Sequence, residues 1–140
     1  MSGSTAPTIF EFTVDLQEQE APVPLPPGEY PAEITQAENR VSGNTGNVYC
    51  AITFRIAPEN YPADYTEGDP DGTTLTYNRL LLADKPRERH RLRKFLESVG
   101  AKLGRSFDPN DLIGLHATVV IEHRQFEGED QAQISRVMGG

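Results

Sequence analysis

In residues 48–56, VYCAITFRI, apolar and polar positions alternate with a period of two. Val48, Cys50, Ile52, Phe54 and Ile56 fall on one face, and Tyr49, Ala51, Thr53 and Arg55 on the other. That is the pattern of a strand with one face on a core. Residues 29–38, EYPAEITQAE, alternate in the same way, with Tyr30, Ala32 and Ile34 opposite Glu33 and Thr35. TTLTYNRLLL (73–82), LHATVVIEHRQ (115–125) and QAQISRV (131–137) predict three further strands. Gly and Asn in SGNTGN (42–47) supply turn residues between the first two strands, and FEGED (126–130) does so between the last two. Residues 58–72, rich in Pro, Asp and Gly and holding Tyr61 and Tyr65, predict a loop.

Between the third and fourth strands the period changes. Leu92, Phe95, Leu96 and Val99 recur at helical spacing, and Gly100 ends the run. Asp84 is the expected N-cap, with Pro86 in the first turn. DPNDLIG (108–114) predicts a short helical turn or a loop. Residues 1–27 predict an arm. Pro22, Pro24, Pro26 and Pro27 keep its end extended, and Ile9, Phe10, Phe12 and Val14 are the residues by which it would add a short strand or clip onto the core. The order is strand, strand, strand, helix, strand, strand. It predicts a mainly β domain over residues 28–140: a five-stranded OB-fold-like Greek-key barrel, with one α-helix between its third and fourth strands.

At 140 residues the chain has the size of one domain. Cys50 is its one cysteine, so no internal disulfide forms, and a reducing, intracellular setting is expected. No apolar run approaches ~20 residues, so no membrane span is expected. The N-terminus lacks the basic start and apolar centre of an export signal.

Charge changes the picture. The formal net charge is −8, yet residues 79–105 hold nine basic against three acidic residues, a net of +6. The rest of the chain holds four basic and eighteen acidic residues, a net of −14. Six of the thirteen Lys and Arg lie in KPRERHRLRK (85–94) alone. On a helix, Arg87, Arg91 and Lys94 form one stripe. Two explanations stand beside each other: a solvated face paired with the acidic arm, or contact with phosphates.

No catalytic or metal-binding pattern emerges. His116 and His123 fall on opposite faces of one strand, and Cys50 points inward. SGNTGN has no Lys to grip a phosphate and does not open a helix. A non-catalytic protein without a cofactor or metal is expected. Binding residues are easier to name. Tyr49, Thr53 and Arg55 share the outer face of the second strand, and Tyr77 and Arg79, two apart, share a face of the third. Bases of single strands stack on aromatic rings while cations follow the phosphates. The alternative is that Tyr77 is core and Tyr49 packs across strands. Phe126, with Arg124 beside it, is either a stacking residue on a loop or a packing residue of the hairpin.

LPPGEYPAEI (25–34), SGNTGNVYCAITFRI (42–56), LRKFLESVG (92–100) and DLIGLHATVVIEHRQFEGEDQAQISRV (111–137), with FEF (10–12), resemble a family of small tailed-phage proteins of the OB-fold, single-stranded-DNA-binding type. The resemblance implies binding and protection of single-stranded DNA in the cytoplasm of an infected bacterial host. It implies phage replication or recombination proteins as partners, and no catalysis. The chain departs from the best-known single-strand binders, which often end in an acidic recruiting tail. Here the C-terminus reads ISRVMGG and the acidic segment is the N-terminal arm. Two other classes remain: an OB-fold adaptor or acidic DNA mimic that binds proteins, and an assembly component whose arm clasps a neighbouring subunit in a homo-oligomer.

Overall fold

The computed structural model describes residues 6–139; residues 1–5 of the arm and Gly140 lie outside them. Five strands form one antiparallel sheet: β1 (Gly28–Val41), β2 (Val48–Ile56), β3 (Thr73–Leu82), β4 (His116–Phe126) and β5 (Glu129–Gly139), in the order β3-β2-β1-β4-β5. Among the described residues there is one α-helix, α1 (Pro86–Ser98), between β3 and β4. Short 3-10 turns lie at Leu16–Glu18, Pro58–Asn60 and Pro109–Leu112. The mainly β architecture, the five strands and the place of the helix agree with the sequence pattern. No helix is long and apolar enough to cross a membrane among the described residues.

β1 is the spine. Its first half, Gly28–Glu33, pairs with β4, and its second half, from Glu33 onward, pairs with β2. The change of partner coincides with a bulge: Ile34 opposes Phe54, Gln36 opposes Thr53, and Thr35 is the extra residue. A bulge bends a strand and raises its twist, so one strand can serve both halves of the sheet. It also shifts the inward parity, from Tyr30, Ala32 and Ile34 before it to Ala37 after it. The edge strands β3 and β5 approach each other, and α1 lies against both; no hydrogen-bonded ladder joins them.

The core follows the alternation. Cys50, Ile52, Phe54 and Ile56 of β2 are fully or nearly fully buried, with Ile34 of β1, Val119 and Ile121 of β4 and Leu112 beneath. Each such aliphatic or aromatic side chain contributes about 1.5–3 kcal/mol by leaving water. Val48, at the start of β2, is exposed instead. Phe95, Leu96 and Val99 seat the helix on this core, with Leu92 at the margin. Gly100, at φ +75°, closes the helix: its N–H donates to Glu97 O (3.2 Å) and the Ala101 N–H to Leu96 O (2.8 Å). This paired C-terminal bond pattern suits a residue without Cβ.

Two local expectations are corrected. The helix N-cap is Lys85, which makes no side-chain cap bond, while Asp84 pairs with Arg89 at 3.6 Å. Among the described residues the arm adds no strand. Ile9, Phe10, Phe12 and Val14 are 52 to 78% exposed. The arm's last residues are what hold. Leu25 is buried, its carbonyl lies 2.8 Å from His123 Nε2, and the hydroxyls of Tyr65 and Tyr30 donate to Val23 O (3.1 Å) and Pro26 O (2.7 Å). His123 thus follows the inward parity of Ala117, Val119 and Ile121, and His116 the other.

Candidate nucleic-acid interface

The outer face of β2 is built by the same period that fills the core. Tyr49, Thr53 and Arg55, each half-buried, alternate with the core residues, while Ala51 on the same face is itself buried. Across the ladder, Tyr49 opposes Leu81 of β3 and Arg40 of β1, Thr53 opposes Thr76 and Gln36, and Arg55 opposes Thr74 and Glu33. The face is therefore polar and hydroxyl-rich, with one aromatic ring at its Val48 end.

β3 does not continue this face as its sequence predicts. Cys50 opposes Leu80 but Ile52 opposes Tyr77, so Asn78 and Arg79 together oppose Ala51. This bulge reverses the parity of the strand. Tyr77 turns inward with Leu75 and lies against the core. Its ring stacks on Phe95 of α1, with centroids 6.1 Å apart and planes 8° from parallel. Burial pushes the Tyr77 hydroxyl pKa up, and the nearby Arg79 charge works against that shift. Tyr77 and Arg79 therefore do not share a face, and the Tyr49–Tyr77 stacking pair does not exist.

Arg79 goes outward and meets Tyr49 instead. The two line an open depression of about 320 Å³ with Asn78, Leu81 and the β1–β2 turn residues Ser42, Thr45 and Asn47. These turn residues and Asn78 are what the pattern missed. SGNTGN carried the signal of a turn, and only the pairing register brings its amide and hydroxyl groups beside an aromatic ring. Arg40, opposite Tyr49, is committed to Glu38, which holds its guanidinium pKa up.

Arg55 is fixed by the β2–β3 loop. Its Nε and Nη2 both donate to Asp71 O, at 3.0 and 2.7 Å. Gly72 follows at φ +103°, and a Cβ there would stand 2.8 Å from Arg55 Nε and 2.9 Å from Ile56 O. Only glycine permits that close approach. The loop itself is braced by the Tyr61 and Tyr65 rings, 5.3 Å apart and edge-on, packed over Gly68, and by the Tyr61 hydroxyl on Asp69 O (2.9 Å) and Thr73 Oγ1 (2.7 Å).

The remaining candidates lie elsewhere. Arg124 and Phe126 sit two apart at the tip of the β4–β5 hairpin, both exposed, beyond the Gly28 end of β1. The turn between them and β5 holds Glu127 (φ +52°) and Gly128 (φ +80°), the two left-handed residues of a tight two-residue hairpin. Arg87, Arg91 and Lys94 are exposed on α1. The ion pairs among the described residues join Arg40 to Glu38, Arg89 to Asp84 and Arg93 to Glu97, so none ties that stripe to the arm.

Cys50 is fully buried, and burial pushes its thiol up to about 11. Among the described residues, no three of His, Cys, Asp and Glu gather as metal ligands would. No curated protein matches the chain. A family profile matches residues 12–137, from inside the arm to the last residues of β5. The chain therefore belongs to the family described as a protein of unknown function, DUF669.

Proposed function

We propose that this chain binds single-stranded DNA, without catalysis, through the outer face of β2 and β3. The observation that carries the reading is the meeting of Tyr49 and Arg79 in one open depression rimmed by amides and hydroxyls. A base stacks on the ring, a neighbouring phosphate meets the guanidinium, and base edges find donors and acceptors on Asn47 and Asn78. Such a stack contributes about 1–3 kcal/mol per base and is tolerant of sequence. Thr53 and Arg55 extend the track along β2.

The OB-fold reading belongs to the same proposal. The sheet order β3-β2-β1-β4-β5, a bent β1 shared by both halves, and the approach of β3 to β5 support a partly open five-stranded barrel. In such barrels the face of strands 2 and 3 and the loops after strands 1 and 4 form the usual binding surface, which is where Tyr49, Arg79 and the Arg124–Phe126 tip lie. Phosphate contact by Arg87, Arg91 and Lys94 adds a salt-dependent contribution. As a phage protein in the cytoplasm of an infected host, the chain serves replication or recombination by holding single strands.

The test is fluorescence anisotropy with a labelled oligothymidylate and a duplex of equal length, at low and moderate salt. The single strand is expected to bind more tightly at both. Equal affinity for the duplex, or no binding at low salt, rules the proposal out.

A further inference from the structure

The arm and the flank of α1 that faces away from Arg87, Arg91 and Lys94 pose one question together. Residues 6–22 are exposed throughout, yet the arm carries Ile9, Phe10, Phe12, Val14 and Leu16. Phe10 and Phe12 already lean on each other, with centroids 5.1 Å apart. Glu11, Asp15, Glu18 and Glu20 alternate with these apolar residues, and no basic residue precedes Arg40. A clustered apolar and acidic peptide held in water needs a partner that is apolar and basic.

The chain contains such a surface. At 100° per residue, Arg89 and Arg93 fall on one side of the apolar stripe of α1, and Arg87, Arg91 and Lys94 on the other. Arg89 and Arg93 line an open cleft of about 710 Å³ between the helix and the segment that follows it. Leu92, Leu103 and Phe107 give it apolar walls, and Arg105 adds a third cation, which has no ion pair among the described residues; Arg89 and Arg93 face Asp84 and Glu97 at 3.6 and 3.4 Å in exposed pairs that an incoming carboxylate can exchange with.

We propose that this cleft receives the N-terminal arm of a second copy of the chain, with Phe10 and Phe12 on the apolar walls and Glu11 and Asp15 toward Arg93 and Arg105. The inference is independent of the DNA-binding reading. Reach favours a second copy over the chain's own arm. The arm is pinned at Leu25, beside the Gly28 end of β1, whereas the cleft is lined by Asn39 and Leu82 at the far end. From Leu25 to Phe12 the chain spans at most about 45 Å fully extended. Gly28 to Asn39 alone is up to about 36 Å along the bent β1. Docking at home would need the arm to reverse out of its proline-stiffened exit and run back nearly straight, losing the turn that Asp15 caps at Leu16–Glu18. Reciprocal exchange between two copies closes a dimer with two equivalent contacts.

The experiment is light scattering after size exclusion, over a range of concentrations, on the full chain and two variants. One variant is Phe10→Ser with Phe12→Ser; the other is Arg93→Glu with Arg105→Glu. The four positions lie in exposed segments or on exposed faces, and an unchanged melting curve verifies each fold. The full chain is expected at twice the monomer mass, each variant as a monomer, and an equimolar mixture of the two variants as a dimer again, because one intact arm then meets one intact cleft. A full chain that is monomeric at every concentration overturns the proposal, as does a dimer that survives the arm variant. So does a cleft variant with unchanged mass and weakened oligonucleotide binding, which would make the cleft a DNA contact.

Discussion

The two faces of the β2–β3 pair each hold one tyrosine, and the two tyrosines have opposite surroundings. Tyr77 points inward, lies parallel to Phe95 and helps seat the helix. Tyr49 points outward and shares an open depression with Arg79. One residue type on neighbouring strands thus serves packing in one place and lines an open surface depression in the other. What separates them is one extra residue in β3. Without the bulge at Asn78 and Arg79, either Tyr77 would be outward or Leu80 would be. An aromatic and a cation near each other in sequence share a face only where the pairing register puts them there.

The largest effects are expected on the inner face. Phe54→Ala removes a fully buried ring and is expected to cost about 3–5 kcal/mol of stability in chemical denaturation. Tyr77→Ala, losing its stack on Phe95, is expected to cost about 2–3 kcal/mol. If Tyr77→Ala left the midpoint unchanged and weakened DNA binding instead, the inward assignment would be wrong. The inner face also predicts a pH response. The folded-state pKa of Cys50 is raised by burial from 9.0 to about 11, so its contribution to stability is full below pH 9 and is lost as the pH rises toward 11. A thiol reagent at neutral pH should report Cys50 only on unfolding.

On the outside, Gly72→Ala is expected to lower stability by about 1–2 kcal/mol, because φ +103° and the crowding by Ile56 O are incompatible with a Cβ. The same change displaces Arg55 from Asp71 O, so DNA affinity is expected to fall with it. An unchanged affinity per folded molecule would remove Arg55 from the interface. Changing Arg87, Arg91 and Lys94 together to Gln is expected to flatten the slope of log affinity against log salt by about 2, at about 0.7 per lost phosphate contact. The helix remains, since Gln is a good helix former. The preference for single strands should persist, because the proposed function assigns it to stacking on Tyr49. An unchanged slope would place the stripe away from the DNA.

Much of this was legible in the chain. The period of β2 assigned Cys50, Ile52, Phe54 and Ile56 to the core and Tyr49, Thr53 and Arg55 to the outside, because that strand has no bulge of its own. The helix was visible in Leu92, Phe95, Leu96 and Val99, and its end in Gly100. The face of Tyr77 was not legible, since a bulge is a property of two paired strands and leaves no period in one. The pattern puts the N-cap one residue early: Asp84 has the side chain of a cap, but Lys85 holds the position and Asp84 lies beside Arg89 in solvent. The first half of the arm departs from its pattern. Ile9, Phe10, Phe12 and Val14 have the composition of a strand, but the described chain offers them no edge or cleft within easy reach. The depression beside Tyr49 depended on Ser42, Thr45, Asn47 and Asn78, residues that sequence marks only as turn and strand.

The most direct measurement of the central claim is a titration of Tyr49→Ala against the wild-type chain with one labelled oligothymidylate at fixed salt, read by anisotropy beside a melting curve. The account predicts a loss of about 1–3 kcal/mol in binding, with a midpoint of melting close to that of the wild type. Undiminished binding by a folded Tyr49→Ala chain would contradict it.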